Sequence, residues 1–311
     1  MKFKPSFNQK IQSSFLDEKE ISLFLKREDL IHPEVSGNKF RKLKYNLKLA
    51  KAQGKTKLLS FGGAYSNHIA ALAAAGKIEG FSTIGVIRGE ELGGENLHKT
   101  LEKNTTLQKA VNDGMQLYFI SRSLYRQKHT YSFLMQLQKQ FGSVFIIPEG
   151  GTNALAVRGC EEILDQEDFG FDYICCSCAT AGTFAGLVNA SSVNQKLIGF
   201  SALKENFLET QLSTLVRKKN WSINRDFHFG GYAKINTDLI AFINRFYIEQ
   251  KIPLDPVYTS KMMYGIFEQI RCGKIPRKSR ILAIHTGGLQ GIDAMNKHLK
   301  YKNQPLIQFY D

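Results

Sequence analysis

Tryptophan is nearly absent, with Trp221 alone, and cysteine is scarce, five in 311 residues. Cys160, Cys175, Cys176, Cys178 and Cys272 are too few and too clustered for the disulfide framework of a small secreted protein. They suit a reducing compartment, so a cytoplasmic protein is expected. Long hydrophobic runs are also missing. The longest purely apolar stretch, 69–75, falls far short of the roughly 20 residues that a membrane helix needs. No apolar segment of signal-peptide length follows Met1, and no membrane partner is expected. Acidic residues are in deficit, 28 Asp and Glu against 42 Lys and Arg, for a formal net charge of +14. That surplus raises a polyanion-binding reading. No nucleic-acid motif accompanies it, so no nucleic-acid partner is expected. There is no GxGxxG, no GxSxG and no Walker loop, and the histidines lack metal-ligand spacing.

What is present is an ordinary globular composition, 43% hydrophobic and 23% charged. A chain of this length buries a sizeable core without staples. Strand-like runs at 21–25, 58–61, 82–87, 116–120, 144–147, 173–176, 197–200 and 281–284 alternate with helical patterns. The helical patterns include 98–112, 132–140, 154–164, 183–190, 239–248, 261–270 and 289–299. This alternation predicts an α/β fold with mostly parallel sheets. Ligands in such folds sit at the carboxyl ends of strands, so the segments just after strands carry the functional expectation. Gly150-Gly151 follows a strand and is a plausible point for the chain to cross between lobes.

Four such segments stand out. Ser36-Gly37-Asn38-Lys39 opens a helix. Positive potential there favours a neutral amine and suits a Schiff-base lysine. The plain reading is one more surface lysine. Arg41, Lys42, Lys44, Lys48, Lys51, Lys55 and Lys57 follow with no acid between, and most of these are expected on a solvated face. Gly62-Gly63-Ala64-Tyr65-Ser66-Asn67-His68 joins close-approach glycines to a helix start that either binds an anion or is merely capped. Ala179-Thr180-Ala181-Gly182-Thr183 offers small residues and two hydroxyls at a helix N-terminus, the chemistry of a phosphate cradle. His285-Thr286-Gly287-Gly288 follows the last strand, where a lone histidine is more often structural than catalytic. Cys175 and Cys178 form a CxxC within a strand, which puts them on opposite faces and argues against zinc.

In this order the segments resemble the 1-aminocyclopropane-1-carboxylate (ACC) deaminase and D-cysteine desulfhydrase family. The resemblance runs from Lys26-Arg27-Glu28-Asp29-Leu30 through Ser36-Gly37-Asn38-Lys39 and Gly62 to His68. It continues through Gly150-Gly151-Thr152-Asn153, Gly231-Tyr232 and Leu254-Asp255-Pro256-Val257-Tyr258-Thr259-Ser260-Lys261, and ends at His285-Thr286-Gly287-Gly288. It implies two three-layer α/β/α domains of the pyridoxal-phosphate (PLP) fold type II, tryptophan-synthase-β-like. It implies a larger domain at 1–41 plus 151–311, a smaller one inserted at 42–150, PLP in the cleft and a homodimer. By the same resemblance Lys39 holds PLP, and Asn67 lies beside its 3-hydroxyl. Thr180, Ala181, Gly182 and Thr183 take the phosphate, with Thr259 and Thr286 also at the cofactor. Ser66, Asn67, His68 and Tyr258 meet a small amino-acid substrate, and Ser66, Tyr232 and Tyr258 are catalytic with Lys39.

Within the family, Thr259 stands where the ACC deaminases carry Glu, and Thr286 where they carry Leu. The D-cysteine desulfhydrases carry Thr at both. A neutral hydroxyl near the ring nitrogen makes a weaker electron sink than a carboxylate. Eliminating a thiolate needs less of a sink than opening a cyclopropane, so β-elimination is expected, with ACC deamination as the alternative. The chain departs from its relatives at Tyr65, at Ala70-Ala71 and at Cys160, in or near the substrate-facing region. A PLP-binding protein without turnover is a third reading.

Overall fold

Residues 1–204 and 207–309 are described by the structure, a computed structural model. Ten strands form two sheets: β1 (Asn8–Lys10), β2 (Ser22–Lys26), β3 (Lys57–Gly62), β4 (Ser82–Arg88), β5 (Met115–Ile120), β6 (Val144–Ile147), β7 (Tyr173–Cys178), β8 (Lys196–Ser201), β9 (Trp221–Asn224) and β10 (Arg280–Ile284). One sheet has the order β1-β2-β10-β7-β8-β9, the other β5-β4-β3-β6. Every pairing is parallel except β1 on β2. The smaller sheet uses only residues 57–147, while the larger draws strands from both ends of the chain.

Both faces of the larger sheet are covered, so its central strands are mostly apolar. Alternation sorts the side chains. Leu23, Leu25, Cys175, Ile281 and Ala283 enter one core, with the helices Thr237–Gln250 and Thr259–Arg271. Cys176, Cys178, Leu282 and Ile284 enter the other, with Gly182–Ala190 and Ala154–Glu161. Cys175 and Cys178 therefore do point apart. All five cysteines are unpaired, and no metal-holding cluster occurs among the described residues. In the smaller sheet Leu58 packs to one side and Leu59 and Phe61 to the other.

One sequence expectation needs correction, and a second holds with two exceptions. The pattern at 98–112 is two helices, Leu97–Lys103 and Thr105–Asn112. Asn104 sits between them in an extended conformation; its Oδ1 accepts from Leu107 N at 2.9 Å, and its Nδ2 donates to Ala64 O at 2.9 Å. A polar side chain with a non-helical option has become a cap. The basic run after Lys39 is not wholly solvated either. Arg41 and Lys42, on the helix Asn38–Ala52, are 6% and 1% exposed. The short elements Asn8–Lys10, Ser14–Glu18, Leu208–Ser213 and Trp221–Asn224 carry too few residues for periodicity to reveal them.

Lys26-Arg27-Glu28-Asp29 ends β2 as a knot of buried ion pairs. The Lys26 ammonium donates to Asp168 Oδ2 at 2.6 Å, Arg27 grips Asp29 through two bonds of 2.9 and 2.7 Å, and Glu28 takes Arg41 through two of 3.0 and 2.8 Å. Bidentate geometry makes such buried charges tolerable. The Glu28–Arg41 pair fixes the helix that carries Lys39 to the end of β2.

Candidate active site

Lys39 is the second residue of the helix Asn38–Ala52. Its position is set by Gly37, whose φ of 62° lies in the left-handed region. A β-carbon on Gly37 would stand 2.0 Å from Thr286 O, so the loop seats directly on the backbone after β10. Asn38 N then donates to Thr286 O at 3.3 Å, and Asn38 Nδ2 to Thr183 Oγ1 at 2.9 Å. Three strand-end segments thus meet at one helix start. The Lys39 ammonium donates to Asn38 Oδ1 at 2.9 Å. Burial, and then the charge of Lys42, lower its pKa from 10.5 to about 7. A lysine so tuned carries much of its population as free amine at neutral pH, as a nucleophile toward an aldehyde and a proton acceptor must.

Lys39, Asn38, Asn67, Thr286, Gly288 and Gln290 line one small cavity together with Ser36, Ala71 and Glu34. Asn67 arrives from the smaller sheet, as the first residue of the helix Asn67–Glu79 after β3. A β-carbon on Gly288 would come within 3.0 Å of its amide nitrogen, so the two halves touch here. Ser66 caps that helix, its Oγ accepting from Ile69 N at 3.3 Å. His68 is not among the cavity-lining residues. It is buried behind the loop, Nε2 at 2.8 Å from Ser60 Oγ, which itself donates to Ile147 O. Ser60 therefore accepts from His68, and the ring proton sits on Nε2. Burial, and then Lys39 and Lys42, hold its pKa well below the usual range, so the ring is neutral.

Lys42 is the residue that sequence reasoning missed. It lies one helical turn beyond Lys39 and on the same face. Its ammonium donates to Gly150 O, Thr152 Oγ1 and Thr180 Oγ1 at 2.9, 3.1 and 3.2 Å. No carboxylate pairs with it among the described residues. The helix Gly182–Ala190 begins beside it with no side-chain cap. A buried cation without an acid, hydroxyls of Thr152 and Thr180, and the open N–H groups of a helix start together fit a phosphate. The Ala181 N–H is committed to Gln211 Oε1 at 3.1 Å, so it is the least available amide of the predicted cradle.

Thr259 Oγ1 is buried with no hydrogen-bond partner, an orphan that fits the ring nitrogen of a pyridine. Thr286 Oγ1 is 3.4 Å from Ser177 Oγ. Asp255, accepting from the N–H groups of Val257, Tyr258 and Thr259 at 2.8 to 3.0 Å, fixes the turn that presents Tyr258 and Thr259. The rings of Tyr258 and Tyr232 meet edge-on, centroids 6.2 Å apart. Burial, and then Tyr232, push the Tyr258 hydroxyl well above its ordinary range, so it stays protonated. His285 is structural. Its Nδ1 accepts from Gly287 N at 3.2 Å, which leaves Nε2–H for Pro253 O at 2.8 Å. The Cys160 thiol is pushed up to about 12 by burial, which makes it packing rather than a nucleophile. Arg88, at the end of β4 and 5.9 Å over the Tyr125 ring, adds an exposed cation near Gly63.

A half-buried lysine titrating at about 7, an acid-free cation cradle and an orphan hydroxyl thus fit a phosphorylated pyridine aldehyde. Comparison with known proteins agrees. Residues 9–287 match the family model described as pyridoxal-phosphate dependent enzyme. A putative 1-aminocyclopropane-1-carboxylate deaminase of Pyrococcus horikoshii is 30% identical over 286 residues, 86% of this chain and 85% of that one. The bifunctional D-cysteine desulfhydrase/1-aminocyclopropane-1-carboxylate deaminase of Arabidopsis thaliana, mitochondrial, is 29% identical over 87% of this chain and 73% of its own. The crystal structure of an ACC deaminase homologue superposes with a TM-score of 0.76 at 26% identity, covering 96% of this chain and 93% of the other. The chain belongs to the pyridoxal-phosphate dependent enzymes, with the fold of that family and PLP as its cofactor.

Proposed function

We propose that the protein eliminates the β-substituent of a small amino acid, with D-cysteine giving pyruvate, ammonia and sulfide. The observation that carries this choice is Thr259. Its buried, unpartnered hydroxyl offers the ring nitrogen a neutral partner, which suits loss of a thiolate better than opening of a cyclopropane. When bound, PLP would supply an aldehyde carbon for the substrate amino group and a conjugated ring to spread the electron pair left when the Cα proton departs. Lys39 would hold PLP at rest and, once displaced, its amine would accept the Cα proton. Ser66 and the first N–H groups of its helix would hold the substrate carboxylate. Tyr258 keeps its proton and would pass it to the departing sulfur, with Tyr232 against it. Asn67 would meet the 3-hydroxyl. Lys42, Thr180, Gly182 and Thr183 would hold the phosphate, and Ala181 would shape that loop. Thr286 supports the Lys39 loop through its carbonyl. His68, buried and neutral, would back the loop rather than touch substrate.

Sulfide and pyruvate release from D- and L-cysteine, assayed beside 2-oxobutanoate release from ACC, tests this reading. D-cysteine turnover without ACC turnover is expected. ACC turnover alone would sink it in favour of the second activity in the Arabidopsis relative's name. K39A should abolish the visible absorbance of lysine-bound PLP; full absorbance in that variant would refute the assignment of Lys39.

We further assign residues 1–41 plus 151–311 to a larger domain and 42–150 to a smaller one, a division supported by the two sheets. The family resemblance supports a homodimer, to be checked by light scattering for twice the chain mass. Five unpaired cysteines favour a reducing cytoplasm, to be checked by cell fractionation. No helix among the described residues is long and apolar enough to cross a membrane.

A further inference from the structure

Tyr232 rides on a segment, 225–236, that contains neither helix nor strand. Four of its residues have left-handed φ: Phe229 at 53°, Gly230 at 94°, Gly231 at 110° and Ala233 at 54°. Phe229 and Ala233 carry a β-carbon, so the conformation is uphill for both. Something outside the segment must hold it. Its own bonds are few: Gly231 N to His228 O at 3.0 Å, Lys234 N to Gly231 O at 3.2 Å and Gly230 N to His228 Nδ1 at 2.9 Å. Phe229 adds an edge-on contact with Tyr264 at 5.0 Å between centroids.

Phe227 packs on Phe200 and Tyr264, and Arg225 pairs with Glu209, but it is Lys261 that holds the left-handed backbone itself. It is the third residue of the helix Thr259–Arg271, directly after Tyr258-Thr259-Ser260, and only 2% exposed. Its ammonium donates to His228 O and to Gly231 O, both at 2.8 Å. No carboxylate pairs with it among the described residues. Burial lowers its pKa from 10.5 to about 8, against a smaller raising effect of Asp255. A buried ammonium bonded only to carbonyls is a poor device for stability alone, since an apolar side chain avoids its desolvation. It is a good device for fixing geometry. It ties the backbone on both sides of Phe229-Gly230 to the helix whose first turn presents Tyr258.

We propose that Lys261 is a positioning residue, whose two carbonyl bonds clamp the 228–231 backbone and so hold Tyr232 against Tyr258 at the cleft. This rests on the reading that the tyrosine pair acts on substrate. Lys261 itself touches neither substrate nor cofactor.

A double-mutant cycle on the PLP-loaded enzyme tests it, with K261M, Y232F and the double variant assayed on D-cysteine. K261M should lower kcat/KM about tenfold, an effect on the scale of one lost charge-assisted bond. In the Y232F background it should cost less than about twofold, because the residue it positions is already disabled. Amide hydrogen exchange of the 225–236 segment should quicken at least about tenfold in K261M, with the helix Gly182–Ala190 unchanged. Multiplicative losses, or unchanged exchange in 225–236, would overturn the proposal. Wild-type kinetics in Y232F would instead overturn the reading of the tyrosine pair on which it rests. Should K261M not fold, K261Q keeps a donor and carries the same cycle and the same exchange measurement.

Discussion

Lys39 and Lys42 are the same residue type, one turn apart, in opposite situations. Lys39 meets the cavity, while Lys42 is locked under it between hydroxyls and a carbonyl. The first consequence is a pH profile. With its amine titrating at about 7, cofactor-free protein should take up PLP faster as pH rises from 6 to 8, then level off. An amine at the ordinary 10.5 would keep gaining rate beyond pH 9. The growth of visible absorbance after mixing checks this, and a rate still climbing at pH 9 would refute it. The second consequence concerns affinity. K42M should weaken PLP binding about ten- to a hundredfold, the scale of a charge-assisted bond, and leave the binding of unphosphorylated pyridoxal nearly unchanged. Equal loss for both ligands would remove Lys42 from the phosphate cradle. Lys39 was legible because Ser-Gly-Asn-Lys carries a resemblance. Lys42 was not, because in sequence it is one of eight basic residues between 39 and 57, and only burial without an acidic partner separates it from the other seven.

At the scale of elements, the site depends on how helix starts are seated. Gly37 sits against the backbone of Thr286, and a methyl group there would stand 2.0 Å from Thr286 O. G37A should therefore displace the Lys39 loop from the end of β10 and suppress PLP absorbance, while far-ultraviolet circular dichroism stays native. Normal absorbance in G37A would mean the loop has another seat. Asn104 works in the same way at longer range. N104A loses a helix cap, which costs about 1 kcal/mol. It also frees Ala64 O in the loop before Ser66, so urea unfolding should show the loss and KM for the amino acid should rise. The helix and strand order was readable from periodicity because most elements exceed five residues and bury one face or two. The break at Asn104 was not, since the run 98–112 holds no glycine or proline to mark it. The ion pairs that close β2 were equally invisible, because Lys26-Arg27-Glu28-Asp29 reads as surface charge until Asp168 and Arg41 are brought to it.

For the molecule as a whole, the +14 charge is spread unevenly in consequence. Lys26, Arg27 and Arg41 are neutralised inside by acids, Lys42 and Lys261 are buried with none, and much of the remainder is exposed. Lys42 is the buried cation that only a bound anion neutralises at the site, and it lies where the Lys39 helix, Gly150 from the end of the smaller sheet and Thr180 from the larger one converge. PLP should therefore act as a brace across both sheets. Ligand at a hundred times its Kd stabilises a fold by about 2.7 kcal/mol. For a chain of this size that is a rise in Tm of roughly 5 °C. Inorganic phosphate at millimolar concentration should give part of the rise through Lys42 alone, and K42M should remove that part while retaining the response to pyridoxal. Thermal denaturation of wild type and K42M in PLP, pyridoxal and phosphate measures all three terms. If phosphate stabilises K42M as well as wild type, the gain is a general anion effect of the basic surface, and the buried lysine is not what joins the two sheets through the cofactor.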